Sequence, residues 1–73
     1  MQSIDAFEEL VQGIDRHKLY RTREVAEFLR CSVRYVQILV ELGRLDALHV
    51  GRLIRIPGQE LVRFIHKYKE WVG

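Results

Sequence analysis

The chain has 73 residues, 48% of them hydrophobic and 30% charged, with a formal net charge of +2. That is material for one small globular domain, and its single cysteine, Cys31, excludes an intrachain disulfide or a thiolate zinc cluster. No apolar run approaches the roughly 20 residues of a membrane span, the opening MQSIDAFEEL is acidic where a secretory signal is basic, and little remains to build a catalytic pocket once a core is filled. The chain therefore reads as a non-enzymatic protein of a reducing cytoplasm, with no membrane partner.

In chain order, Ser3 is placed to cap a first helix over about residues 4–12, with Asp5 at its positive end. Phe7, Leu10, Val11 and Ile14 follow helical spacing, and Gly13 suits a left-handed position after the last turn. Asp15-Arg16-His17-Lys18 is polar throughout and reads as a linker or exposed turn. Residues 1–18 thus form an N-terminal helix and polar linker, separate from a domain over 19–73.

Leu19-Tyr20-Arg21 is a short extended candidate, and Thr22 is the expected N-cap of a helix from Arg23 to about Leu29, with Val25, Ala26 and Leu29 on one face. After Arg30-Cys31-Ser32, Ser32 caps a helix from Val33 to about Leu42, with Val36, Leu39 and Val40 inward and Gly43 ending it. Two short helices joined by a three-residue turn form a helix-turn-helix unit. Leu45 to Val50 and Leu53 to Ile56, joined by Gly51-Arg52, predict a tight hairpin. Pro57 stops the second strand, and a last helix runs from about Gln59 to Trp71. Its stripe of Leu61, Phe64, Ile65, Tyr68 and Trp71 is expected to pack on the first helix.

Helix, tight turn, helix, glycine, hairpin, helix is the order of a winged helix-turn-helix: mainly α with a small β-hairpin, here with an extra N-terminal helix. In that arrangement the second helix of the unit enters the major groove, and the hairpin reaches the flanking backbone or minor groove. The charge distribution agrees. Residues 1–18 hold four acidic and two basic side chains, whereas residues 19–73 hold ten Lys/Arg against six Asp/Glu, and arginine outnumbers lysine nine to three over the chain. Guanidinium forks suit phosphates and base edges.

The pieces Leu19-Tyr20-Arg21-Thr22, Glu24-Val25-Ala26, Ser32-Val33-Arg34-Tyr35-Val36, Gly43-Arg44-Leu45, Val50-Gly51-Arg52 and Arg55-Ile56-Pro57 stand in fixed order. From Leu19 to about Ile65 they resemble the small excisionase-type DNA-binding domains, relatives of the MerR-type winged helix. The resemblance implies a phage or mobile-element protein of bacterial cytoplasm, associated with the nucleoid. Such a recombination directionality factor binds and bends attachment-site DNA to help an integrase excise an element. The alternatives are a small transcriptional regulator using the same surface, and a protein-interaction adaptor that kept the fold. A MerR-type ligand sensor is disfavoured, so no small-molecule effector is expected.

The candidate DNA-binding residues are Arg23, Ser32, Val33, Arg34, Tyr35, Gln37, Arg44, His49, Arg52 and Arg55. Arg34 can bind guanine or a phosphate, Gln37 can pair bidentately with adenine, and Tyr35 can give its hydroxyl to a phosphate. Arg23 starts the preceding helix. Arg52 sits at the wing tip, flanked by Arg55 and His49, and Ser32 is a cap first. Arg30 replaces a family glycine in the turn, and Cys31 reads as core packing. Ile38, Glu41 and Leu42 stand where the family is often basic, so Glu41 opposes phosphate and Ile38 with Leu42 is expected to leave an apolar strip exposed. Weak binding by one copy, offset by wing contacts and self-association along DNA, is the expectation. His17, His49 and His66 lack metal-ligand spacing, so neither a metal nor another cofactor is expected.

Overall fold

Among the described residues there are four helices and three short strands, and the central strand of the sheet is β3 (Leu53–Pro57). A computed structural model describes residues 8–72, with side chains described through Tyr68. The expectations for Ser3, Asp5, Phe7 and the Trp71 side chain lie outside the described residues. Residues 8–12 are helical (α1), followed by β1 (Leu19–Tyr20), α2 (Thr22–Leu29), α3 (Val33–Glu41), β2 (Leu48–Val50), β3 (Leu53–Pro57) and α4 (Gly58–Val72). The sheet is antiparallel in the order β1-β3-β2, and the whole is a winged helix-turn-helix fold.

Gly13 does not take the left-handed conformation expected of it; the glycines that do are Gly43 and Gly51. The Gly13 N–H donates to the carbonyls of Glu9 and Leu10, and the Ile14 N–H donates to that of Val11. The chain therefore keeps turning right-handed and carries Ile14 into the core, where Leu10 and Val11 pack beside it. Residues 15–18 form an ordered, exposed turn. Asp15 Oδ1 accepts from the His17 N–H at 2.9 Å, an Asx-type turn, and the Asp15 N–H donates to the Tyr20 hydroxyl at 2.8 Å. Lys18 Nζ lies 5.1 Å from the centre of the buried Tyr20 ring.

That turn is clamped to the start of α4. The Gly58 N–H donates to the Lys18 carbonyl at 2.8 Å, and a Cβ at Gly58 would lie 2.0 Å from the Asp15 carbonyl oxygen and 3.0 Å from Arg16 Cα. Only glycine admits this approach of two backbones. Pro57, expected to stop β3, is its last residue and pairs with Leu19.

The cap of α2 falls one residue before Thr22. Arg21 is extended, at φ −83° and ψ 159°, and its N–H donates to Glu24 Oε1 at 2.9 Å. A carboxylate in the first turn thus fixes the helix start at Arg21, where a Thr22 cap was expected. At the other end Arg30 is left-handed, at φ 56° and ψ 48°. The N–H groups of Arg30 and Cys31 close on Glu27 and Ala26, the paired bonds of a Schellman end. This sharp reversal lets α3 begin two residues later on Ser32, whose Oγ accepts from the Tyr35 N–H at 3.0 Å. Beyond α3, Leu45 was expected at the start of a strand. It lies instead in the bend before β2 and is 1% exposed, because the core takes its side chain first.

The core joins Val25 and Ala26 of α2, Val36 and Leu39 of α3, Tyr20 and Ile56 of the sheet, and Leu61, Val62, Phe64 and Ile65 of α4. Val40, also expected inward, is partly buried against it. Each fully buried aliphatic side chain contributes about 1.5–3 kcal/mol over its exposed state. Two expected positions differ. Ile38 is half-buried rather than exposed, whereas Tyr68 stacks on Phe64 at 6.3 Å yet stays 44% exposed at the rim of the core.

Two substitutions should move stability in opposite directions. Gly58→Ala forces the Asp15 backbone away and should cost about 2–3 kcal/mol. Arg30→Gly removes a left-handed strain of about 1–2 kcal/mol against a glycine entropy of about 0.5–1 kcal/mol, and should add up to about 1 kcal/mol. Urea unfolding of both variants checks the pair; a neutral Gly58→Ala would contradict the packing described.

Candidate nucleic-acid interface

The short β1 strand shapes the site. It pairs only with Ile56 and Pro57, so residues 53–55 of β3 have no β1 partner along that edge. The start of α2 lies beside this open edge, and a shallow groove of ≈ 510 Å³ forms there. It is lined by Arg21, Thr22, Arg23 and Glu24 of the β1–α2 junction, Gln37 of α3, and Arg52, Leu53, Ile54 and Arg55 of the wing.

Four arginines and one glutamine, drawn from three elements, therefore border one groove. The carboxylate among them, Glu24, holds the Arg21 backbone N–H. Arg55 Nη1 donates to the Ile54 carbonyl at 3.0 Å, which covers an oxygen on the edge and fixes the guanidinium over the groove. A guanidinium has five donors, so Arg55 retains others for a ligand. Arg52 is exposed in a two-residue turn whose first residue, Gly51, has φ 62°. Positive φ at the first turn position alone is the II′ pattern, which matches the twist of the flanking strands. The wing tip is thus held by backbone geometry rather than by side-chain contacts.

Of the residues expected from the sequence, the structure brings Arg23, Gln37, Arg52 and Arg55 together in this groove. Ser32, Val33, Arg34 and Tyr35 lie outside the groove lining, on the exposed first turn of α3. Val33 is 37% and Tyr35 50% exposed, and the Ser32 oxygen is engaged as the cap. Arg44 lies in the bend after α3, its N–H donating to the Leu39 carbonyl. His49 sits opposite Ile54 in the hairpin register, exposed and outside the groove lining. Arg21 was missed. Placing the cap on Thr22 left Arg21 as the end of a strand, whereas the Glu24 carboxylate three residues later was the signal for a cap at Arg21. Cys31 is half-buried against the core, and burial pushes its thiol pKa up, the reverse of an activated nucleophile.

Among the described residues, no group of His, Cys, Asp or Glu is placed to hold a metal, and no helix is long and apolar enough to cross a membrane. Two helices joined by a three-residue turn, followed by a hairpin wing and a closing helix, define a helix-turn-helix module of the winged class. Residues 19–69 match the helix-turn-helix domain family, and the chain belongs to that family. Comparison with curated proteins and with solved structures gives no match. Family membership makes this a helix-turn-helix DNA-binding protein whose partner is double-stranded DNA.

Contacts to phosphate and contacts to bases should separate experimentally. Arg21→Ala and Arg52→Ala should each weaken duplex binding about equally across sequences and lower the slope of log affinity against log salt by about 1. Arg34→Ala should instead relax preference at one base step, by about 1–3 kcal/mol. Fluorescence anisotropy on duplexes over a range of salt checks this. Arg21 and Arg52 variants that bind as wild type would contradict the groove as the DNA site.

Proposed function

We propose that this protein is a non-enzymatic DNA-binding factor of excisionase type. In this reading it docks α3 in the major groove, sets the wing on the adjoining minor groove, bends attachment-site DNA and helps an integrase excise a mobile element. It works without metal or other cofactor. The observation that carries the reading is the convergence of Arg21, Arg23, Gln37, Arg52 and Arg55 on one groove between the start of α2, α3 and the wing. The ordered excisionase-like motifs supply the finer identity, because Arg21, Arg52 and Arg55 of the groove stand within them and Arg23 and Gln37 directly adjoin them.

The surface also fits cooperative use. Glu41, at the end of α3, and Leu42, 65% exposed, offer little to phosphate, so one copy has a short run of cationic contacts. Neighbouring copies on one duplex add their phosphate contacts, and linked binding events multiply affinity.

Nuclease footprinting on an attachment region, with an excision assay using the integrase that acts on that region, tests the proposal. We expect protected tracts repeating about every helical turn, roughly 10 bp, and more excised product as the protein is added. Footprints confined to a promoter, with no effect on excision, would overturn the excisionase reading in favour of a transcriptional regulator.

A further inference from the structure

The wing has an outer face that the groove does not explain. Side chains alternate along a strand, and partners in an antiparallel register share a face. Leu19 opposite Pro57, Leu48 opposite Arg55, and Val50 opposite Leu53 therefore lie on one face. Tyr20, Ile54 and Ile56 lie on the other, which is the face carried into or against the core. The solvated side of an antiparallel sheet is ordinarily polar. Here it holds one arginine among aliphatic residues. At the tip, Val50 is 59% exposed and Leu53 53% exposed, directly across from each other and closed by Gly51-Arg52. Leu53 also belongs to the groove lining, between Arg52 and Arg55.

Two adjacent aliphatic side chains at the end of a hairpin, flanked by guanidinium groups, match the chemistry of the DNA minor groove. Its walls are deoxyribose C–H surface, and its negative potential draws arginine into it. Apolar side chains inserted there unstack base steps and kink the duplex toward the major groove. The surrounding charge argues for DNA at this end of the wing: Arg52 and Arg55 flank the pair, and the carboxylate of the groove already holds a backbone N–H.

We propose that Val50 and Leu53 form an apolar wedge that enters the minor groove beside Arg52 and produces the bend in the DNA. The inference rests on the DNA-bending reading above and assigns that bend to two named residues. In it, Arg52 supplies attraction and the aliphatic pair supplies deformation, so binding and bending are separable properties.

The test uses the full chain and the duplex that selection from a random-sequence pool returns with the wild-type protein, labelled at both ends for energy transfer. Val50→Thr keeps a strand-forming residue and the charge at a position outside the groove lining. It should bind within about threefold of wild type with an unchanged salt slope, while the energy-transfer gain falls by about half or more. Val50→Lys adds a cation while removing half of the wedge; it should bind at least as tightly as wild type and yet bend less. Circular dichroism melts confirm that both variants are folded, which exposure of the Val50 side chain favours, and if either fails to fold the other decides the result. Variants that bend DNA as wild type does, or a wild-type protein that binds without bending, would overturn the wedge. A wild-type protein that selects no duplex and binds none at low salt would overturn the DNA-binding reading itself.

Discussion

The burial of Ile56 is the constraint on which the remainder depends. Its side chain is 0% exposed, and its strand pairs with β1 on one side and β2 on the other. β3 also packs against both α2 and α4. A wing on a free hairpin would be marginal, since two strands alone rarely hold in water. Here the hairpin shares its second strand with the core, so the direction of the wing is set by the helices it must sit beside. Arg52 and Arg55 are thereby held in fixed relation to Arg21, Arg23 and Gln37.

Stability and recognition are connected through the same short segments. β1 is only two residues long because the chain must reach the α2 cap at Arg21 immediately after Tyr20. That brevity leaves part of the β3 edge open, and the open edge becomes the groove. The turn at residues 15–18 holds Tyr20 through its hydroxyl and meets α4 at Gly58, so a segment distant from the groove in sequence secures the strand that frames it. A domain of 73 residues has a stability of roughly 4–11 kcal/mol. The cost expected of Gly58→Ala is therefore a sizeable fraction of that total, so the close approach at Gly58 constrains the elements that form the groove.

The winged arrangement was legible in the sequence because its signals are local: Ser32 before an apolar-periodic helix, Gly43 after it, and Gly51-Arg52 between two β-rich runs. Arg23, Gln37, Arg52 and Arg55 could be named from face and position alone. What escaped was decided by packing between distant segments. Nothing near Gly58 in sequence announces the Asp15 backbone. Gly13 looks like a left-handed cap until Ile14 is seen to be needed in the core. Leu45 has strand neighbours, yet the core takes it before the strand begins. Arg21 escaped for a different reason, since a carboxylate and a hydroxyl competed to mark the same helix start and the hydroxyl has the stronger local signature. Arg30 shows the converse: its departure from the family glycine was visible, and its left-handed backbone is what that departure has to accommodate.

The central claim is that one groove, built by the start of α2, α3 and the wing, is where duplex DNA binds. Amide chemical-shift mapping by NMR during titration with duplex DNA at low salt tests it most directly. The account predicts shifts concentrated at residues 21–24, along α3 from Val33 to Gln37 and at residues 52–55, diminishing as salt is raised. Shifts concentrated instead around Phe28, Leu29, Phe64 and Ile65, which line a separate apolar groove, would contradict it.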